Sequence, residues 1–284
     1  MPVDRRHFLF GALATIGLAA CGKSGSSDES SGAADQAAAT NAATAPATTA
    51  PAPATAASTV PPTTVPASTT TAAPSTTART TAAFRIKAAG TANEVALTFH
   101  TDGDLAIANR LVSVLAAHQA PATCFMIGKW LNANQSWARK LLDNGHELAN
   151  HTYNHLGFAS LGAAQMTSEI EQCRDLLRSL TGSPGRWFRP SGTADGTATP
   201  SPAVMNAATK AGYLEVAGWD VDPYDYQDPG AAAVRTRTLA GVKAGSVVSL
   251  HFGHAGTADA LDALLGGLKD KGLTPVTLSK LYRL

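Results

Sequence analysis

Residues 84–284 predict an α/β fold, a distorted (β/α) barrel of about seven parallel strands forming a single domain. From Val95 onward, extended apolar runs alternate with helix-patterned segments, the alternation that parallel strands joined by right-handed helical crossovers require. Seven such runs suffice to close or nearly close a barrel, and polar clusters follow them at the strand ends where barrels of this kind build their sites.

The elements follow in order. Val95 to Phe99 reads as a strand, and Leu105 to Ala117 as a helix with Leu105, Ala108, Leu111, Val112 and Leu115 on one face. Ala122 to Ile127 is the second strand, Trp130 to Leu142 a helix, and Glu147 to Asn150 the third strand. An amphipathic helix from Ala163 to Leu180 carries Met166, Ile170, Cys173, Leu176 and Leu177 as its core stripe, with Gly182 just past its end. Then come Trp187-Phe188, a helix over Ala203 to Ala211, strand Leu214 to Ala217, and a helix over Ala231 to Leu239. Strand Val247 to His251, helix Ala258 to Leu268 and strand Pro275 to Leu278 close the chain.

Ahead of this domain, Met1 to Ala20 places Arg5 and Arg6 before a short apolar run, the pattern of a twin-arginine export signal and too short for a confident membrane span. Leu18-Ala19-Ala20-Cys21 resembles a lipobox, so residues 1–21 are expected to be a signal peptide ending in a lipidated Cys21. The chain is then exported and anchored to the outer face of the cytoplasmic membrane, or secreted. Residues 22–83 are almost wholly Ala, Thr, Ser, Pro and Gly and cannot bury a core, so they are expected to form a disordered tether, which could carry sugars.

The formal net charge of +1 leaves no basic footprint for nucleic acid. Cys124 lies in a strand-like run and Cys173 on a helical face; both are expected to be buried free thiols.

His151 and His155, four residues apart behind a strand, have a spacing that on a helical turn brings two imidazoles to one ion. His118, His146 and His254 have settings that favour structural roles, and the four tryptophans are mostly packing residues, with Trp219 a possible sugar contact beside Asp220.

In order and spacing, the polar clusters resemble those of the polysaccharide deacetylases, the carbohydrate esterases of chitooligosaccharide deacetylase type. Gly145-His146-Glu147 with His151-Thr152-Tyr153-Asn154-His155 is similar to the family's metal motif, and Ala122 to Gly128 to the strand before it. Phe188-Arg189-Pro190-Ser191-Gly192, Asp222-Pro223-Tyr224-Asp225-Tyr226 and Ser249-Leu250-His251 resemble the later motifs. The resemblance implies a metal-dependent hydrolase, monomeric, that removes N- or O-acetyl groups from an envelope or environmental polysaccharide such as peptidoglycan. It implies a divalent ion, commonly zinc, on His151 and His155, with His251 as catalytic acid, Asp225 or else Asp222 orienting it, and Arg189 orienting the base or otherwise pairing with a local carboxylate. An alternative is a carbohydrate-binding or envelope-scaffolding lipoprotein that has lost catalysis, and a third reading is a metal-dependent hydrolase of a non-sugar amide.

The first motif departs from the family pattern. Where the family has Thr-Phe-Asp-Asp-Gly, this chain reads Thr98-Phe99-His100-Thr101-Asp102-Gly103-Asp104, one residue longer. Aligned from Thr98, His100 replaces the base and Thr101 the ligand; aligned from Gly103, Asp102 keeps the ligand position and Thr101 falls at the base. Asp102 is expected to be the third ligand with His100 as base or extra ligand. Asp104 competes for the ligand role, although directly before Leu105 it is also a good helix N-cap.

Overall fold

The computed structural model describes residues 79–90 and 93–284; the expected export signal with Cys21, and all of the expected tether up to residue 78, lie outside the described residues. Among the described residues eight strands form one sheet: β1 (Ala83–Arg85), β2 (Glu94–Thr101), β3 (Thr123–Met126), β4 (Glu147–Asn150), β5 (Trp187–Phe188), β6 (Glu215–Ala217), β7 (Val247–His251) and β8 (Thr274–Val276). Its order is β1-β6-β5-β4-β3-β2-β7, with β8 on the start of β2, and every pairing is parallel. The helices α1 (Leu105–Ala117), α2 (Gly128–Ala133), α3 (Ser136–Asp143), α4 (Ala163–Thr181), α5 (Pro202–Lys210), α6 (Ala231–Gly241), α7 (Ala255–Asp270) and α8 (Leu278–Leu281) follow or separate the strands. The seven-strand path curls into the expected distorted barrel. Just past β6, Val221 bridges to Val248 of β7 and draws the seam together, while the Asp220 carboxylate accepts from Val247 N at 2.7 Å and Ser246 Oγ at 3.0 Å.

Strand alternation sorts every residue of the site. On β2, Val95, Leu97 and Phe99 join the apolar layer beneath the helices, whereas Ala96 joins a second cluster with Phe125, Ala149, Trp187, Ala217 and Val247. Ala96, Thr98 and His100 therefore share the inward face, as do Phe125, His151, Arg189, Trp219 and His251 on or just beyond their own strands. The polar inward residues sit at strand C-termini, above an apolar plug.

Three local expectations are corrected. The helix expected over Trp130 to Leu142 is two helices, because Asn134 turns its side chain back to donate to the Trp130 carbonyl at 2.8 Å and ends the first. Arg79 to Ala83, which composition assigns to the tether, pack on the domain: Arg79 donates to the Leu214 carbonyl at 2.8 Å and pairs with Glu215, and Ala83 begins an edge strand on β6. The last strand is shorter than expected and leads into α8, capped by Thr277. Cys124 and Cys173 are buried free thiols as expected; burial raises both thiol pKa values, that of Cys173 to about 12. Among the described residues no helix is long and apolar enough to cross a membrane.

Candidate active site

Four imidazoles meet at the C-terminal mouth of the barrel. His100 is the last residue but one of β2 and His251 ends β7; they are Cα partners in the register, and His100 Nδ1 lies 2.9 Å from His251 Nε2. His151 stacks on His100 with ring centroids 4.1 Å apart, and His155 Nε2 stands 3.1 Å from His151 Nε2. All four line one groove of about 260 Å³, framed by Pro190, Trp219 and Tyr226.

The two motif histidines do not lie on a helical turn, contrary to the sequence expectation. His151 leaves β4 into a loop in which Thr152 (φ 69) and His155 (φ 59) are left-handed, and this reversal brings the two rings together, tilted at 55° with centroids 4.9 Å apart. Buried Glu169 of α4 holds that loop, accepting from Tyr153 N (3.1 Å), Asn154 N (2.7 Å) and Asn154 Nδ2 (2.7 Å). Asn150 Oδ1 accepts from Thr152 N at 2.8 Å, and Ser191 ties the loop to the segment after β5 through Thr152 Oγ1 and the Leu156 carbonyl. Neither Glu169 nor Ser191 was found by sequence reasoning as a site support; the signal for Glu169 was an acid inside the apolar stripe of α4.

His151 Nδ1 faces the Arg189 carbonyl at 2.9 Å, which can only accept, so that nitrogen carries the proton and Nε2 presents its lone pair. Two nitrogens 3.1 Å apart are near the ~3.3 Å that two imidazoles bound at 2.0–2.1 Å to one tetrahedral ion would show. Asp102 Oδ1 is buried without a hydrogen-bond partner, and its charge is felt at His155, opposing the burial that lowers that imidazole's pKa. The two imidazoles have the separation of ligands to one ion, but among the described residues no three His, Cys, Asp or Glu side chains converge as an ion site. Asp104 instead caps α1, accepting from Ala106 N at 2.7 Å and Ile107 N at 3.2 Å.

The strand period also decides between the two alignments of the first motif. Thr101 points away from the groove and braces β3, donating to the Phe125 carbonyl (3.2 Å) and accepting from Ile127 N (3.3 Å), so it can be neither ligand nor base. His100 takes the inward position. Arg189, fully buried, donates Nη1 to His100 Nε2 and to Thr98 Oγ1, both at 3.0 Å, with its other donors on the Ala217 and Gly218 carbonyls. Among the described residues no carboxylate touches it, and burial lowers its pKa to about 9. Phe125 and Trp219 sandwich the guanidinium at 4.0 and 5.0 Å. Burial, first, then the neighbouring histidines hold His100 and His151 well below the usual imidazole pKa, and both are neutral.

His251 rests on Asp225. Its Nδ1 lies 2.8 Å from Asp225 Oδ1, and its backbone N–H donates to Oδ2 at 2.8 Å, where Thr257 Oγ1 also donates at 2.7 Å. Thr257 is a support that the sequence did not reveal. Asp222, the other candidate, does not bond His251: it accepts from Trp219 Nε1 (3.1 Å) and Tyr224 N (2.8 Å), fixing the turn that delivers Asp225, and burial raises its pKa. His118 and His146 lie apart from the site, bonded to Asp262 and Ala122 N, whereas His254 stands edge-on to His251 with ring centroids 5.8 Å apart and pairs with Asp228.

A profile of the family described as polysaccharide deacetylase matches residues 87–216. The peptidoglycan-N-acetylglucosamine deacetylase of Bacillus cereus is 31% identical over 193 residues, spanning 66% of this chain and 88% of that protein. The chain belongs to the polysaccharide deacetylase family. YlxY of Bacillus subtilis, an uncharacterized protein, is 30% identical over 173 residues, 61% of this chain and 52% of its own length, so this chain spans about half of that relative. BA3943, described as a CE4 family pseudoenzyme from Bacillus anthracis, superimposes with a TM-score of 0.64 at 23% identity over 70% of this chain and 68% of its own, which shows the shared fold. In this polysaccharide deacetylase domain the buried arginine is answered by an imidazole, that of His100.

Proposed function

We propose that this chain is a metal-dependent hydrolase that removes acetyl groups from an amino sugar of an envelope polysaccharide, peptidoglycan being the favoured substrate. The observation that carries the reading is the His151–His155 pair, with the unpartnered Asp102 carboxylate nearby, opening into the same groove as the His251–Asp225 dyad. His151, His155 and Asp102 would hold the ion, with zinc favoured by the two imidazoles. Bound there, the ion supplies Lewis-acid polarisation of water and of the acetyl carbonyl. The chain's own residues do the rest. Pro190, Trp219 and Tyr226 frame the sugar, and His251, oriented by Asp225, returns a proton to the leaving nitrogen or oxygen. The named B. cereus relative, a peptidoglycan-N-acetylglucosamine deacetylase, supports the substrate class. A lipidated Cys21 with the tether that follows would hold the domain, as a monomer, outside the cytoplasmic membrane within reach of such a polymer.

The zinc-loaded full chain should release acetate from N-acetylated peptidoglycan or chitooligosaccharides, and His251→Ala should abolish the release. No acetate from any acetylated glycan with the metal fully bound would sink the proposal. One observation favours a second reading, a glycan-binding lipoprotein without turnover: both nitrogens of His100 are already engaged where the family places a carboxylate base. That reading requires glycan binding that survives His251→Ala.

A further inference from the structure

Hydrogen-bond polarity at the barrel mouth is fixed by its two ends. Arg189 can only donate, so His100 Nε2, 3.0 Å from its Nη1, must offer a lone pair. A neutral imidazole has one lone pair and one N–H, so His100 carries its proton on Nδ1 and donates it across 2.9 Å to His251 Nε2. His251 in turn carries its proton on Nδ1 and donates it to Asp225 at 2.8 Å. The opposite polarity would set an N–H of His100 against an N–H of Arg189. The reverse assignment is therefore closed, and His100 has no lone pair left with which to take a proton. A carboxylate in the same place could pair with Arg189 and still accept, since it offers about four lone-pair sites.

We propose that His100 is a positioning residue and not the general base, and that it holds His251 in the tautomer with an unprotonated Nε2, so that His251 serves as base and then as acid. This inference rests on the deacetylase reading above. Substrate and water displace the His100 N–H from His251 Nε2. As the water oxygen bonds to the acetyl carbon, one water proton moves to His251 Nε2. The same proton passes to the leaving nitrogen as the carbon–nitrogen bond breaks. The second water proton leaves with the acetyl group as acetic acid, and the free amine and neutral His251 are regenerated. Asp225 stabilises the transient imidazolium through Nδ1–H.

The test separates a proton carrier from a hydrogen-bond relay. An amide offers one acceptor and one donor but cannot be protonated, so His100→Gln or His100→Asn should keep acetate release within about tenfold of wild type, while His100→Ala should lose about 100-fold or more. If His100 is the base, the amide variants fall as far as alanine, and the proposal is overturned. A second readout does not depend on turnover: long-range nitrogen–proton NMR correlations of the zinc-loaded full chain, labelled at histidine, with His100→Gln and His251→Gln supplying the assignments. Both rings are expected as the Nδ1–H tautomer; a His100 protonated at Nε2 overturns the assignment even if no glycan is turned over. A chain with the expected tautomers and no acetate release on any acetylated glycan would instead count against the deacetylase reading alone.

Discussion

His100 and His251 face each other across the β2–β7 pairing, edge to face with ring centroids 4.5 Å apart, and one hydrogen bond joins the first motif to the last. Through this contact, groups from four strands act as one polar unit: Thr98 and His100 with Arg189 on one side, His251 with Asp225 on the other.

Asp225 accepts three hydrogen bonds and is almost wholly buried. Asp225→Asn replaces one of those acceptors with a donor, so it should reduce turnover by about 100-fold to 10,000-fold and destabilise the fold by about 1–3 kcal/mol. Asp222→Asn, which leaves the His251 contact in place, should have a much smaller effect on kcat. Steady-state acetate release and urea unfolding measure the two.

Asp102 and Asp104, two residues apart, have separable effects. Asp102→Ala should weaken zinc binding by at least about tenfold, taking the loss found for groups that merely support ligands as a lower limit. Asp104→Ala should leave zinc affinity intact and reduce stability by about 1 kcal/mol through the lost cap on α1. Zinc titration of both variants distinguishes them, and equal zinc affinities in the two would refute the ligand role of Asp102.

Gly103 sits between them at φ +73, where a Cβ would come within 2.3 Å of the Gly253 backbone. Gly103→Ala should therefore destabilise the protein by about 2 kcal/mol or more and shift the Asp102 carboxylate, weakening zinc binding together with stability. A variant of wild-type stability would show that the two loops are not packed as described.

Burial lowers the pKa of His146, far from the groove, and lowers those of His100 and His151 in the same direction. The unfolded chain then takes up protons first as pH falls through the ordinary imidazole value near ~6.5, so the stability these neutral rings contribute is present above that pH and lost below it. The metal-free chain should lose up to about 1.4 kcal/mol per pH unit for each such ring below pH ~6.5. His146→Asn, which keeps an acceptor for Ala122 N, should shallow the slope. A slope unchanged in His146→Asn would assign the acid sensitivity elsewhere.

Much of this was legible in the sequence. The strand runs at Glu147–Asn150 and Val247–His251 and the helix at Leu105–Ala117 were readable to the residue, because strong apolar periodicity and a capping aspartate mark their ends. The short edge strand at Ala83 was hidden because three residues carry no period; its place depends on Glu215, far along the chain, which Arg79 and Arg85 both reach. At the site, the spacing named the histidines but missed the left-handed loop that aims them. Ambiguity at His100, Thr101 and Asp102 was removed only by the inward-outward alternation of β2, a three-dimensional fact. Thr257 and Glu169 read as helix residues, and only long-range contact shows that they hold Asp225 and the His151–His155 loop.

The most direct test of the metal-dependent site is zinc content and affinity of the full chain, by elemental analysis and titration, beside His151→Ala. One tightly held ion per chain, lost in the variant, is the predicted result. A chain that binds no zinc at micromolar concentration, or a variant that binds it as tightly as wild type, would contradict it.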